Sequence, residues 1–321
     1  MTLSSQLRRL EMFCAVVDEG GVTRAAERFQ VAQPWVSAQL RTLEKAVKAP
    51  LFVREGRRIV LTEAGTRFYA WAKEVLASGA QVQRDIEDLD AGTAGSLAVA
   101  TSMAIGTYLI PPLMIDLRRG RPGADITISI SEPAVAMRRV EIGEVDFAVT
   151  TWYDDVPPAG VQAEKLWDEE ILLCAAPGGP PDGDEVDLAD TLALPIVGVP
   201  AGVAIERVLD DRLRAHGLPA PSYVIRLGHA EALKAAVAAN GWVFFAPRYC
   251  VADDVAAGRL RAVRLRDAEL TEGIGLFSRD TSWFSPLQRA AVAALRDVAA
   301  SKRQEPTRTG RVASDGNISD G

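Results

Sequence analysis

The 321-residue sequence is poor in the side chains that ligate metals or crosslink secreted proteins. It holds two histidines, His216 and His229, and three cysteines, Cys14, Cys174 and Cys250. No C-x-x-C or H-E-x-x-H occurs, so neither a zinc centre nor a disulfide framework is expected. Long apolar runs are missing as well. No stretch of about 18 apolar residues is free of charge, which excludes a membrane-spanning helix. The opening residues, MTLSSQLRRLEMF, lack the apolar core and small-residue cleavage site of a secretory signal. The expected compartment is therefore the cytoplasm, where thiols stay reduced. No P-loop, strand-to-helix G-x-G-x-x-G or G-x-S-x-G elbow stands out, so an enzyme reading has no motif to rest on and no cofactor is expected. What remains is ordinary for a folded chain, with 48% hydrophobic and 25% charged residues. The length suits two or three structural units.

The net charge of −7 is unevenly spread. Residues 1–65 carry ten Lys and Arg against seven Asp and Glu, whereas the remainder carries 26 against 36. A small basic head on a large acidic body is compatible with phosphate contact by the head alone.

Within that head, Leu7, Leu10, Phe13 with Cys14, and Val17 recur at helical spacing, and Gly20-Gly21 ends the helix. Thr23 is placed to cap a second helix over Arg24 to Phe29. A third starts near Gln33, with Pro34 in its first turn, where a missing N–H costs least. Val36, Leu40, Leu43 and Val47 form its buried stripe, leaving Gln33, Ser37 and Arg41 on another face. Two helices crossing at a short turn can set the latter one in a major groove; a core helical hairpin is the plainer alternative. Leu51 to Arg54 and Ile59 to Leu61 then flank the basic tip Glu55-Gly56-Arg57-Arg58, which predicts a hairpin wing. Arg54, Arg57 and Arg58 on such a wing reach phosphates or a narrow minor groove, or are simply solvated charges.

These residues resemble a known family. Gly21 to Phe29, Gln33-Pro34-x-Val36-Ser37, Leu43-Glu44, Pro50-Leu51-Phe52-x-Arg54 and Leu61-Thr62-x-Ala64-Gly65 look like the signature of LysR-type transcriptional regulators. Lys48 stands where the family usually has glycine. The resemblance implies a winged helix-turn-helix over 1–62, contacting double-stranded DNA through Thr23, Arg24, Gln33, Pro34, Ser37, Arg41, Arg54, Arg57 and Arg58.

Residues 63–91 read as one long helix. Thr62 can cap it, and Phe68, Ala72, Val75, Gly79, Val82, Ile86 and Leu89 alternate by four and three as a seam for a partner helix. Packing on its own domain is the alternative. The resemblance implies a homodimer through this linker helix, and a homotetramer beyond it.

Residues 92–300 alternate strands and helices, with strands expected at 97–101, 126–131, 146–151, 170–176, 196–199, 223–227 and 242–246. Helices are expected at 105–118, 135–142, 204–216 and 231–240. The pattern predicts two parallel α/β lobes after a flexible hinge at 91–95. Leu109-Ile110-Pro111-Pro112, Gly143-Glu144-Val145-Asp146 and Asn240-Gly241-Trp242 extend the family resemblance, which implies a fold similar to periplasmic (type 2) solute-binding proteins. Strand ends and helix starts nominate Thr101, Ser102, Met103, Pro133, Thr151, Gly202, Val203 and His229 as effector contacts. A carboxylate suits free N–H groups at helix starts. His229 donates to such a ligand or caps the next helix. Trp152 and Tyr153 could stack on a ring. Residues 301–321 lack apolar periodicity and are expected to be a disordered tail.

The combined expectation is an α/β protein with a winged head and a linker helix. It is a sequence-specific transcriptional regulator answering to a small organic acid, not an enzyme. The competing classes are a solute-binding receptor and an α/β enzyme.

Overall fold

The computed structural model describes residues 3–55, 58–90, 95–152, 157–281 and 284–304. The head contains α1 (Leu3–Asp18), α2 (Val22–Arg28), α3 (Gln33–Val47), β1 (Phe52–Glu55) and β2 (Arg58–Leu61). Its core is built on Phe13, fully buried, with Val36, Leu40, Leu43 and Leu51. Phe13 lies 5.2 Å from both Phe52 and Phe68 by ring centroid, which ties the wing and the next helix to α1. β1 and β2 pair antiparallel as expected, with Arg54 opposite Ile59.

Two local expectations change. Thr23 lies inside α2, and Gly21 occupies the cap position with no side-chain hydrogen bond. Lys48 takes the left-handed conformation (φ 58°) that ends α3, the position where a glycine would carry no Cβ penalty. Glu44 is structural: its carboxylate accepts the Leu51 N–H at 2.8 Å and so fixes the start of the wing.

Helix α4 (Glu63–Asp90) follows, capped by Thr62, whose hydroxyl accepts the Gly65 N–H at 2.9 Å. A Cβ on Gly65 would fall 2.0 Å from the Leu51 carbonyl oxygen, so only glycine lets α4 cross the wing this closely. The expected seam divides. Phe68, Ala72 and Val75 pack into the head core of their own chain. Val82 and Ile86 stay about half exposed, as does Trp71.

The remaining chain is built on two half-sheets. The first half takes β3 (Ser96–Thr101), a π-helical turn (Ile105–Leu109), α5 (Ile110–Gly120), β4 (Asp125–Ile130), α6 (Pro133–Glu141) and β5 (Phe147–Thr151). Strand β6 (Gln162–Ala175) leads into the second half. This contains β7 (Glu185–Val186), α7 (Leu188–Thr191), β8 (Ile196–Gly198), α8 (Ala204–Ala215), β9 (Tyr223–Arg226), α9 (Ala230–Asn240), β10 (Val243–Pro247), α10 (Arg248–Ala256) and β11 (Arg261–Leu265). Strand β12 (Thr271–Ser278) returns to the first half, and α11 (Pro286–Gln304) covers it.

The strand order is β4-β3-β5-β12-β6-β10-β8-β9. β4, β3 and β5 are mutually parallel, as are β10, β8 and β9. The expectation of wholly parallel lobes fails at the centre, where β12 and β6 run antiparallel to each other and to their outer neighbours. The strand expected at 170–176 begins at Gln162, and its length joins the halves: Gln162–Glu170 pairs with β12, Ile171–Ala175 with β10. The helix expected at 105–118 is interrupted by the π-helical turn. Helix α11 takes residues 301–304 of the expected tail. Residues 305–321, the hinge residues 91–94 and Tyr153 lie outside the described residues.

Candidate DNA-binding head and effector cleft

On α3 Val36, Leu40 and Leu43 are buried as the periodicity requires, but Val47, expected in the same stripe, is exposed in the last turn of the helix; Gln33, Pro34 and Arg41 are exposed and Ser37 is half-buried. Thr23 and Arg24 on α2 are exposed beside them, and Arg54 is exposed on β1. Arg58 starts β2; Arg57 lies outside the described residues. Trp35 is 41% exposed in the first turn of α3, next to Gln33, and nothing in an isolated tryptophan separates such a position from a core one.

The two half-sheets enclose a cavity of about 820 Å³. Its wall collects the starts of five helical segments: Met103-Ala104, Pro133-Ala134 of α6, Val203-Ala204 of α8, His229-Ala230 of α9 and Pro247 before α10. Helix N-termini carry partial positive charge and unpaired N–H groups, so their convergence favours an anionic group. One of them is partly taken: Glu206 accepts the Gly202 N–H at 2.7 Å and pairs with Arg226.

Of the eight expected effector contacts, Ser102, Met103, Pro133, Thr151, Gly202, Val203 and His229 line this one cavity. Thr101 does not. It is fully buried, and its methyl group packs under Gly106. Trp152 stacks on Phe277 at 5.9 Å and is off the cavity wall. His229 caps α9, accepting the Glu231 N–H on Nδ1 at 3.2 Å, so the ring proton belongs on Nε2 as a donor.

Polar residues of the wall that were not anticipated include Ser131 and Glu272. Ser131 has a buried hydroxyl with no hydrogen-bond partner among the described residues. Glu272 of β12 is 4% exposed, and its carboxyl accepts the Tyr249 hydroxyl at 2.9 Å. Burial pushes the Glu272 pKa up to about 7; the Tyr249 hydrogen bond opposes that rise and the neighbouring Glu169 adds to it. A glutamate between threonine and glycine reads as solvated loop, so no sequence signal pointed to it.

The three cysteines are all buried. Burial pushes the thiols of Cys14 and Cys174 up to about 12 and that of Cys250 higher still, which leaves no reactive thiolate. Among the described residues no cluster of His, Cys, Asp and Glu could hold a metal ion, and no helix is long and apolar enough to cross a membrane.

A second polar cluster joins the head to the receptor. Asp18, the last residue of α1, accepts from Tyr69 at 2.5 Å and Lys73 at 3.2 Å, both on α4, and pairs with Arg138 of α6 at 3.2 Å. Glu141 of α6 lies 3.6 Å from Arg138 and 3.9 Å from Lys73. Next to it, Gly143 is so close to Ala77 of α4 that an added Cβ would meet its Cα at 2.9 Å. α6 therefore touches the cavity at its first turn and the head at its last.

A winged helix-turn-helix held by a long helix against a two-lobed, cavity-bearing receptor defines a ligand-responsive DNA-binding regulator. The family model described as "Bacterial regulatory helix-turn-helix protein, lysR family" matches residues 7–66, and the one described as "LysR substrate binding domain" matches residues 90–300. The chain belongs to the LysR family of transcriptional regulators. It is 30% identical to a probable RuBisCO transcriptional regulator of Cyanidioschyzon merolae, over 72% of this chain and 78% of that one. It is 28% identical to the HTH-type transcriptional regulator GbpR of Azospirillum brasilense, over 91% and 86%. The crystal structure of CbnR, a LysR family transcriptional regulator, superposes with a TM-score of 0.55 at 21% identity, covering 91% of this chain and 99% of that one.

Proposed function

We propose that this regulator reads DNA with α3 and is set by an organic acid held in the cavity. Gln33, Ser37 and Arg41 address base edges in the major groove. Thr23, Arg24, Pro34, Arg54, Arg57 and Arg58 contact the backbone or the minor groove. The observation that carries this reading is the division of α3, whose buried row Val36, Leu40, Leu43 holds the exposed row Gln33, Arg41 outward. Two heads would be paired by α4, and exposed Trp71, Val82 and Ile86 support a homodimer through that helix and a tetramer built from such dimers. The units are 1–62, 63–91 and 92–300, followed by a tail, working in the cytoplasm.

The effector is bound by Ser102, Met103, Pro133, Thr151, Gly202, Val203 and His229. Its contacts to both lobes favour one closure over another, and only such a difference in affinity can shift the equilibrium. Any tilt of α6 on closure reaches Asp18 and Lys73 through Arg138 and Glu141, and so the angle between head and linker. Mobility-shift titration on DNA from upstream of the protein's own gene tests the reading. Gln33→Ala and Arg54→Ala weaken specific binding. Equal binding by both variants and the wild type contradicts the assignment.

A further inference from the structure

The cavity wall has an acidic residue that a plain organic acid leaves unused. Glu272 lies on β12, one of the two strands that run between the lobes, with its side chain 4% exposed and on the cavity wall. Among the described residues no Lys, Arg or His approaches its carboxyl within 4 Å. Among the described residues its side chain makes one hydrogen bond, from the Tyr249 hydroxyl of α10. Its acidic neighbour on β6 is differently placed: Glu169 accepts Trp167 Nε1 at 2.9 Å and pairs with Lys302 of α11 at 3.4 Å. The groups around Glu272 are thus Glu169 from β6, Tyr249 and Cys250 from α10, and Lys302, which is engaged by Glu169.

A buried carboxyl without a counter-charge is costly, and it stays neutral or finds a cation. The same cavity wall offers donors: the helix starts, the Ser131 hydroxyl and the Nε2–H of His229. We infer that the effector carries a protonated amine, paired with Glu272 on the cavity wall, in addition to a carboxylate held by these donors. The ligand class is then an amino-bearing acid of amino-acid size. The inference rests on the reading of this cavity as the effector site. It also makes Glu272 a specificity-determining residue: a carboxylate lacking the amine would leave its charge buried and unpaired. Because Glu272 titrates near neutrality, binding of the cation at pH 6.5 expels part of a proton from the carboxyl to solvent.

The test is calorimetry and thermal shift on the full-length protein, with the proteinogenic amino acids each paired with its deaminated acid. At pH 8 at least one amino acid binds about tenfold or more tighter than its deaminated partner. Glu272→Gln removes that preference, weakening the amino acid relative to its deaminated partner. Titration of the wild type at pH 6.5 in two buffers of different ionisation enthalpy shows net proton release, a readout that needs no variant. Equal or tighter binding of the deaminated acids, binding without proton release, or no response to any amino acid overturns the inference. Met103→Trp, which fills the cavity, separates this from the wider reading. If it leaves amino-acid binding intact, the cavity is not the effector site. If it abolishes binding of acids that show no amine preference, the cavity stands and only the amine inference falls.

Discussion

Asp18 and Lys73, 55 residues apart in sequence, meet at 3.2 Å with side chains 9% and 6% exposed, where the head, the linker helix and α6 converge. Burial alone would raise the Asp18 pKa. The Tyr69 hydrogen bond and the Lys73 and Arg138 charges outweigh that and hold it below the ordinary carboxylate range. Lys73 touches Glu141 as well, so three elements share one compensated set of charges.

Removing Asp18 leaves Lys73 buried with the more distant Glu141 as its partner. Asp18→Ala is expected to cost about 3–5 kcal/mol of stability, read from denaturant unfolding. The folded-state pKa is lowered, so this contribution is present above the unfolded pKa and is lost as pH falls through the folded one. The acid limb of the stability curve flattens in the variant. An unchanged acid limb would show that the pair contributes nothing.

Glu272 acts in the opposite sense. Its pKa is raised from 4.5 to about 7, so between those values the folded state binds more protons than the unfolded chain. Without effector, stability falls as pH rises from about 4.5 to about 7, by roughly 3 kcal/mol from this group. Melting temperatures of the wild type and Glu272→Gln across that window check it: the wild type declines more steeply.

All three thiols should resist modification. In the native protein at pH 7.5, a thiol reagent labels none of Cys14, Cys174 and Cys250, and all three react after unfolding in guanidinium. Fast native labelling of Cys174 or Cys250 would point to a thiol-based response instead.

The head's contacts separate by salt dependence. Arg54→Ala lowers affinity for all sequences alike and flattens the slope of log affinity against log salt by about one unit. Gln33→Ala costs about 1–3 kcal/mol of discrimination between operator and random DNA and leaves the slope unchanged. Competition titrations at several salt concentrations distinguish the two.

The head was legible in the sequence because its signals are local. The stripe Val36, Leu40, Leu43 and the Gly56 tip lie within a few residues of what they form. Seven of eight expected effector contacts share one cavity because helix starts and strand ends mark a cleft without knowledge of the sheet order. What was missed depends on distant pairing. The outer half of β6 is polar, and only its pairing with β12 makes it a strand. β12 itself contains Gly273 and Gly275, which argue locally against a strand. They are there because a Cβ on either would meet the Trp152 side chain at under 3 Å. Of the two readings of the linker seam, packing on its own domain holds for Phe68 and Ala72, which complete the core of their own head, a division set by contacts distant in sequence. Asp18 and Glu272 carry no local sign of burial, since their partners Lys73 and Tyr249 lie 55 and 23 residues away in sequence.

Quantitative footprinting on the protein's own upstream DNA, with full-length wild type and Gln33→Ala side by side at low ionic strength, tests the central claim most directly. The account predicts protected half-sites for the wild type and their loss, with residual non-specific binding, for the variant. Identical protection by both proteins, or none by the wild type on any upstream fragment, would contradict it.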